Sequence, residues 1–154
     1  MVGIVDDVIT NPIKYVKEIL SNTFIDILDG DYVFIGIQPR GDDEFSKYVL
    51  NKFEGYEINF NFVRQSSFKQ KEPNYIHTDE MMGDITVLLY LNSCYPKEAG
   101  TTIYGLGDEI KVIDYKFNRM CYFNSIESHS RNLKDNFGEG DESRLVQVIF
   151  LKKI

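Results

Sequence analysis

Residues 74–79 read Asn-Tyr-Ile-His-Thr-Asp, and the interpretation of the chain begins from the pair His77 and Asp79. In an extended chain, residues two apart point to the same side, so this imidazole and carboxylate converge beside a predicted strand over 75–79. The chain has one other histidine, His129, 50 residues beyond Asp79 in a segment that is also typical of a strand end. Two imidazoles and one carboxylate form a facial triad, which leaves coordination positions open on a non-haem Fe(II) ion.

A metal site is not the only interpretation of these residues. A single His-x-Asp triplet also arises by chance, and its two side chains can simply form a hydrogen-bonded pair at a strand end. The second histidine, the strand context and a downstream arginine favour the metal site.

That arginine is Arg144, 15 residues after His129, at the start of a predicted last strand over 143–151. Val146 and Val148 share its face, so its stem points toward apolar surroundings. A buried guanidinium without a partner is costly, and a carboxylate bound in bidentate fashion is its best partner. Arg131 is a rival anchor, although it lies close to a polar loop. Alternatively, Arg144 is a surface residue paired with one of three nearby acids, Glu139, Asp141 or Glu142.

Composition indicates one soluble globular domain, with 154 residues, 43% of them hydrophobic and 27% charged. The 11 Phe and 10 Tyr favour β-structure. A net charge of −7 argues against nucleic acid as a partner, because neutralising phosphates requires a basic surface. One local cationic stretch, 64–71, resembles a solvated loop.

Two features concern the cellular compartment. Cys94 and Cys121 show no metal-binding spacing and are expected to be reduced packing residues. The N-terminus does not resemble a signal peptide, and apolar runs such as 87–91 are too short to cross a bilayer. We therefore expect a cytoplasmic protein without a membrane partner.

The pattern along the chain predicts two helices followed mainly by strands. The first helix starts at Asn11-Pro12 and ends near Asn22; the second is capped by Asp42 or Asp43 and ends at Gly55. The predicted strands lie over 32–38, 57–65, 75–79, 85–92, 100–104, 110–114, 119–124 and 143–151. This order indicates a mainly β fold, a β-sandwich or jelly roll with the two N-terminal helices packed on one sheet.

The order His77-Thr78-Asp79, then His129, then Arg144 in a final apolar strand resembles the Fe(II)- and 2-oxoglutarate-dependent dioxygenase superfamily, in particular its compact prolyl-4-hydroxylase-like branch. The run 87–92 (VLLYLN) and the turn 99–102 (AGTT) are similar to motifs of that branch, as is the helix within 11–20 (NPIKYVKEIL). Ala99 stands where the branch has glycine, and the interval from His129 to Arg144 is longer than usual in the branch.

The resemblance implies that residues 1–154 form one oxygenase domain, a double-stranded β-helix with Fe(II) at one mouth. In that reading, His77, Asp79 and His129 ligate the metal, and Arg144 binds the distal carboxylate of 2-oxoglutarate. The hydroxyl of Tyr90 would support that carboxylate, unless Tyr90 is simply a core residue. With O2, such an enzyme hydroxylates a C–H bond.

The substrate is the least defined part of this interpretation. Arg64 and Tyr75 are the candidate residues at its rim, and an amino acid, a peptidyl (for example prolyl) residue or a small metabolite all remain open. Two other classes of protein also remain open. A cupin-like metal-binding module would keep the triad without needing Arg144, and a structural or partner-binding domain would leave the histidines unliganded.

Overall fold

The computed structural model describes residues 1–68, 76–105, 110–132 and 138–154. These residues form two α-helices, α1 (Pro12–Leu20) and α2 (Glu44–Lys52), and ten strands. The strands are β1 (Val2–Val5), β2 (Ile25–Asp29), β3 (Tyr32–Pro39), β4 (Tyr56–Ser66), β5 (Ile85–Tyr90), β6 (Thr101–Gly105), β7 (Lys111–Ile113), β8 (Met120–Asn124), β9 (Ser128–Arg131) and β10 (Arg144–Lys153).

The strands form two antiparallel sheets. The larger sheet has seven strands in the order β1-β8-β5-β10-β4-β3-β2, and the smaller has three in the order β7-β6-β9. The predicted mainly β, jelly-roll-like architecture is confirmed. No helix in the described part of the chain is long and apolar enough to span a membrane.

Strand β5 shows how the sheet divides the core. It lies between β8 and β10, and its side chains alternate between the two faces. Val87 and Leu89 pack in a cluster with Ile19 of α1 and Phe45 of α2 on one face of the large sheet. Tyr90 packs in a second cluster, which brings β5, β8 and β10 together with β6 of the small sheet. The strand predicted over 85–92 is therefore a central strand that is apolar on both faces.

Strand β4 differs from its predicted pattern. The sequence predicts Ile58, Phe60 and Phe62 on one face, but the pairing of β4 with β10 shifts between Phe60 and Ile58. One residue is added to β4 at this bulge, so Ile58 turns to the helix-covered face, where it packs against the first cluster. Phe60 and Phe62 instead lie beside Phe150 on the other face.

Several elements were not predicted as the structure has them. Residues 76–79 form no strand; His77 makes a single isolated bridge to His129. Strands β1 (VGIV) and β2 (IDILD) were missed because each has only four or five residues and neither alternates regularly between apolar and polar residues. Cys121 is buried as expected, but Cys94 is exposed and is therefore not a packing residue.

Candidate metal centre

The two histidines face each other across an isolated antiparallel bridge. The backbone N–H of His77 donates to the carbonyl of His129 at 3.0 Å, and the N–H of His129 donates to the carbonyl of His77 at 2.9 Å. Residues directly opposite each other in such a pair project to the same side. Their ring centroids accordingly lie 4.4 Å apart. Backbone hydrogen bonding therefore brings together two imidazoles that are far apart in the sequence.

The carboxylate of Asp79 completes the group. The Asp79 N–H donates to the carbonyl of Ser125 at 2.9 Å, which holds this segment against the loop before β9. Its Oδ1 lies 3.5 Å from Nε2 of His77, and its Oδ2 lies 3.0 Å from Nε2 of His129. The potential ligand atoms of the three residues all lie within 4.8 Å of one another. The structure thus brings together the three predicted ligands.

The hydrogen bonding of His129 fits a metal ligand. Its Nδ1 lies 3.0 Å from the carbonyl oxygen of Glu127, which can only accept, so Nδ1 carries the hydrogen. In the neutral ring, Nε2 then presents a lone pair to the carboxylate of Asp79, and two acceptors 3.0 Å apart repel each other. A cation bound between them removes this conflict. Imidazole nitrogen and carboxylate oxygen are suitable donors for Fe(II), and a backbone carbonyl behind the ring is a common support for a ligating histidine.

Thr86 is a functional candidate that sequence reasoning missed. Its hydroxyl donates to Asp79 Oδ2 at 3.2 Å and lies 2.9 Å from Oγ of Ser125. This contact restricts the rotation of the carboxylate. The available signal was a single threonine within the apolar run 85–91.

The triad lies on the wall of a cavity of about 430 Å³, a volume typical of small-molecule sites. Side-chain exposure rises from 7% for His129 and 14% for Asp79 to 37% for His77. His77 therefore lies at the mouth of the site, and the other two lie deeper.

Both candidate anchors for a carboxylate, Arg144 and Arg131, line the same cavity. Arg144 Nη2 donates to the carbonyl of Ala99 at 3.3 Å, and its guanidinium carbon lies 5.9 Å from the centre of the Tyr115 ring. Arg131 lies opposite Thr101 in the pairing of β9 with β6. Arg131 also borders a second, smaller cavity, whereas Arg144 borders only the cavity of the triad among the three described cavities.

Tyr90 lies in the core and does not line the cavity of the triad. It is fully buried, it stacks on Tyr115 with ring centroids 4.3 Å apart, and its hydroxyl lies 2.7 Å from Oγ1 of Thr101. Burial raises the pKa of this phenol well above its usual value, so the hydroxyl stays protonated. Thr101, not Tyr90, borders the cavity.

Of the two residues predicted at the substrate rim, the structure describes only Arg64. Arg64 borders the cavity from β4, whereas Tyr75 lies outside the described residues. No sequence pattern indicated that Tyr32, Val33 and Phe34 also border the cavity. Their apolar run predicted a strand, but its position over the site depends on the pairing of β3 with β4.

Comparison of the sequence with models of protein families and with curated proteins gives no match. Solved structures do match the fold. A prolyl hydroxylase from Trichoplax adhaerens, in complex with a hypoxia-inducible-factor peptide fragment, is 17% identical with a TM-score of 0.65, over 99% of this chain and 83% of that one. The epimerase SnoN, in complex with Fe3+, α-ketoglutarate and nogalamycin RO, is 12% identical with a TM-score of 0.65, over 99% and 78%.

A third match is an oxidoreductase of the 2OG-Fe(II) oxygenase family from Burkholderia pseudomallei, 14% identical with a TM-score of 0.54, over 73% of this chain and 53% of that one. At these identities the likeness concerns the fold. The chain has the fold of prolyl hydroxylases and 2-oxoglutarate/Fe(II) oxygenases, as its motifs predicted.

Proposed function

We propose that the protein is an Fe(II)- and 2-oxoglutarate-dependent dioxygenase in which residues 1–154 form one catalytic domain. The observation that carries the proposal is the convergence of His77, Asp79 and His129 within 4.8 Å, on the wall of a cavity that Arg144 also lines. The shared fold supports it, since solved structures with this fold include oxygenases of this type.

The three side chains would hold Fe(II) from one side and leave the opposite positions for the co-substrate and O2. When bound, iron and 2-oxoglutarate supply the oxidative chemistry that converts a C–H bond to an alcohol. The protein keeps the ligands in place. Glu127 fixes the tautomer of His129 through its carbonyl, and Thr86 holds the carboxylate of Asp79.

Arg144 would orient 2-oxoglutarate by pairing with its distal carboxylate. The Ala99 carbonyl accepts a hydrogen bond from one nitrogen of the guanidinium, and the guanidinium carbon lies over the Tyr115 ring. A guanidinium has five N–H donors, so others stay available for a bidentate contact with a carboxylate. Holding a reactant in one orientation accounts for a large share of such catalysis. Thr101, backed by the buried hydroxyl of Tyr90, would add a contact at the same end.

The wall between the triad and Arg144 is apolar. Leu88 of β5 lies opposite Val148 of β10 in the sheet, and both line the cavity together with Val146. Apolar walls exclude water around the bound co-substrate and strengthen its ionic contact with Arg144.

The substrate that fits this proposal is an amino-acid-like, peptidyl or small-metabolite molecule, and hydroxylation is the expected outcome. A peptide complex of a prolyl hydroxylase with this fold supports a peptidyl substrate in this chain, for example a prolyl residue. The SnoN epimerase, in complex with nogalamycin RO, supports a small molecule.

Isothermal titration calorimetry tests the proposal against a cupin-like module that binds metal without a co-substrate. We expect 2-oxoglutarate to bind the Mn(II)-loaded protein but not the metal-free protein. Arg144→Gln should weaken this binding at least about tenfold while leaving Mn(II) affinity unchanged, because the lost contact is a charge-assisted pair. Mn(II) binding without any binding of 2-oxoglutarate would favour the module.

A further inference from the structure

The first residues of β10 lie beyond the end of the neighbouring strand β5. Strand β10 begins at Arg144, but its pairing with β5 begins only at Val146, opposite Tyr90, the last residue of β5. On this side, the backbone groups of Ser143 and Leu145 therefore have no residue of β5 opposite them. Buried backbone groups need other hydrogen-bond partners in this situation, because leaving one unpaired is costly.

The side chain of Asn92, two residues after the end of β5, supplies these partners. Its Oδ1 accepts from the N–H of Leu145 at 2.7 Å, and its Nδ2 donates to the carbonyl of Ser143 at 2.8 Å. A backbone N–H can only donate and a carbonyl can only accept, so the two bonds fix the orientation of the amide. Asn92 is buried, and it thus holds the residues on either side of Arg144.

Tyr115 connects Asn92 to the guanidinium of Arg144. The Tyr115 hydroxyl donates to Oδ1 of Asn92 and accepts from the Asn92 N–H at 3.1 Å, while the guanidinium carbon lies over the Tyr115 ring. Burial raises the pKa of this phenol, so the hydroxyl keeps its proton. The Tyr115 N–H donates at 2.8 Å to the carbonyl of Lys97, two residues before Ala99, which accepts from the guanidinium. The groups around the guanidinium are therefore linked to Asn92.

We propose, building on the proposed function, that Asn92 is a positioning residue for the binding of 2-oxoglutarate. It does not line the cavity of the triad. It acts through Arg144, by holding the backbone on both sides of this residue and, through Tyr115, the ring beside the guanidinium. A side chain that is ordered before binding loses less conformational entropy when it forms a bidentate contact with a carboxylate.

A buried amide also contributes to stability, and Gln147 provides a comparison for this effect. It lies three residues after Arg144 in β10, on the opposite face of the sheet. It is fully buried, and its Nε2 donates to Asp43 at 3.0 Å and to Asn61 at 2.8 Å. Removal of either amide should destabilise the fold, but only Asn92 is bonded to the neighbours of Arg144.

Nitrogen-15 relaxation of the arginine Nε–H groups tests the positioning without metal or co-substrate. The chain has five arginines, so these NMR signals are few, and Arg144→Gln identifies the signal of Arg144. In Asn92→Ala we expect the order parameter of Arg144 Nε to fall below about 0.6, the range of flexible groups. The Nε of Arg40, which donates to Asp43 at 2.9 Å, should stay as ordered as in the wild type. Gln147→Leu should leave Arg144 Nε unchanged.

Titration calorimetry with 2-oxoglutarate and the Mn(II)-loaded protein measures the consequence for binding. We expect Asn92→Ala to weaken the binding about tenfold and Tyr115→Phe about threefold, since Asn92 keeps its two backbone bonds when only the hydroxyl is lost. The affinity for Mn(II) should not change, and Gln147→Leu should bind 2-oxoglutarate like the wild type. In the Arg144→Gln background, Asn92→Ala should have no further effect, because the residue through which it acts is already absent.

The inference is overturned if Asn92→Ala leaves Arg144 ordered or leaves the affinity for 2-oxoglutarate unchanged. It is also overturned if Gln147→Leu weakens binding as much, or if the loss in Asn92→Ala is undiminished in the Arg144→Gln background. Should Asn92→Ala fail to fold, Tyr115→Phe decides by the same criteria. A wild-type protein that does not bind 2-oxoglutarate would contradict the proposed function and, with it, the role of Asn92 in binding. The relaxation data distinguish this case, since Arg144 would still lose its order in Asn92→Ala.

Discussion

Asp79 and His129 face each other as a carboxylate oxygen and a ring nitrogen 3.0 Å apart, while the other ring nitrogen is bonded to the carbonyl of Glu127. A neutral imidazole in this tautomer has no hydrogen to offer the carboxylate. A metal ion bound between the two atoms would remove their repulsion, as would a proton on the ring nitrogen. The geometry is therefore compatible with the metal centre that we propose.

Binding of a divalent metal should stabilise the fold through this pair. At a Mn(II) concentration 100 times the dissociation constant, the gain is about 2.7 kcal/mol, or roughly 5–10 °C in Tm for a domain of this size. Differential scanning fluorimetry with Mn(II), and again with EDTA, measures it. Asp79→Ala should abolish the shift, and Asp29→Ala, which removes an exposed carboxylate from β2, should not. An equal shift in Asp79→Ala would place the metal elsewhere.

Thr86→Val removes the hydroxyl that holds Asp79 but keeps the shape of the side chain. Residues that orient metal ligands typically contribute 10- to 100-fold in affinity, so we expect Mn(II) binding to weaken by about that factor. Calorimetric titration gives the affinity. Thr102→Val is the matched control, because the hydroxyl of Thr102 bonds to Asn132 and Thr102 borders a different cavity. Equal Mn(II) affinities for the two variants would remove Thr86 from the account.

Tyr90→Phe should have a smaller effect on 2-oxoglutarate binding than Arg144→Gln. The hydroxyl of Tyr90 is directed to Thr101, so its loss reaches the co-substrate only through that residue, whereas Arg144→Gln removes a charged contact. Dissociation constants for 2-oxoglutarate with the Mn(II)-loaded variants make the comparison. A loss in Tyr90→Phe as large as that in Arg144→Gln would mean that the phenol touches the co-substrate directly.

Asp43 should contribute to stability in a pH-dependent way. Burial raises the pKa of its carboxyl, but hydrogen bonds from the Ser46 N–H, Arg40 and Gln147 outweigh this effect and leave the pKa below its usual value. A lowered pKa in the folded state means that this stability is present above the unfolded pKa, near 4, and is lost as the pH falls through the folded value.

Asp43→Ala also removes the N-cap of α2, so we expect a loss of about 2–4 kcal/mol in the free energy of unfolding at pH 7. Urea unfolding between pH 7 and pH 3 measures both effects. The gap between wild type and variant should narrow in acid. A gap that stays constant over this range would show that the carboxylate's charge has no role.

Much of the fold could be predicted because local sequence and tertiary structure agree. Asn11-Pro12 starts α1 as expected, and of the two candidate caps for α2 it is Asp43 that forms the cap. The motif residues were found because His77 and Asp79 lie two residues apart in the sequence and the chain has only one other histidine. Arg144 was found because it opens the apolar strand β10.

The remaining features depend on contacts that no local pattern encodes. Residues 76–79 do not form the predicted strand. Instead, one pair of backbone hydrogen bonds between His77 and His129, which lie 52 residues apart in the sequence, aligns the two rings. The bulge in β4 reverses the side on which Ile58 lies, and only the pairing with β10 fixes its position. The contact of Tyr90 with Thr101 likewise depends on how β5 packs against β6.

The central claim, that one cavity holds both ferrous iron and 2-oxoglutarate, is tested most directly by visible absorption spectroscopy under anaerobic conditions. Addition of Fe(II) and 2-oxoglutarate should produce a weak charge-transfer band, because the co-substrate chelates the iron. The band should be absent in His77→Ala and weakened in Arg144→Ala. A wild-type protein that binds Fe(II) but develops no band at saturating 2-oxoglutarate, or a band that persists unchanged in His77→Ala, would contradict the account.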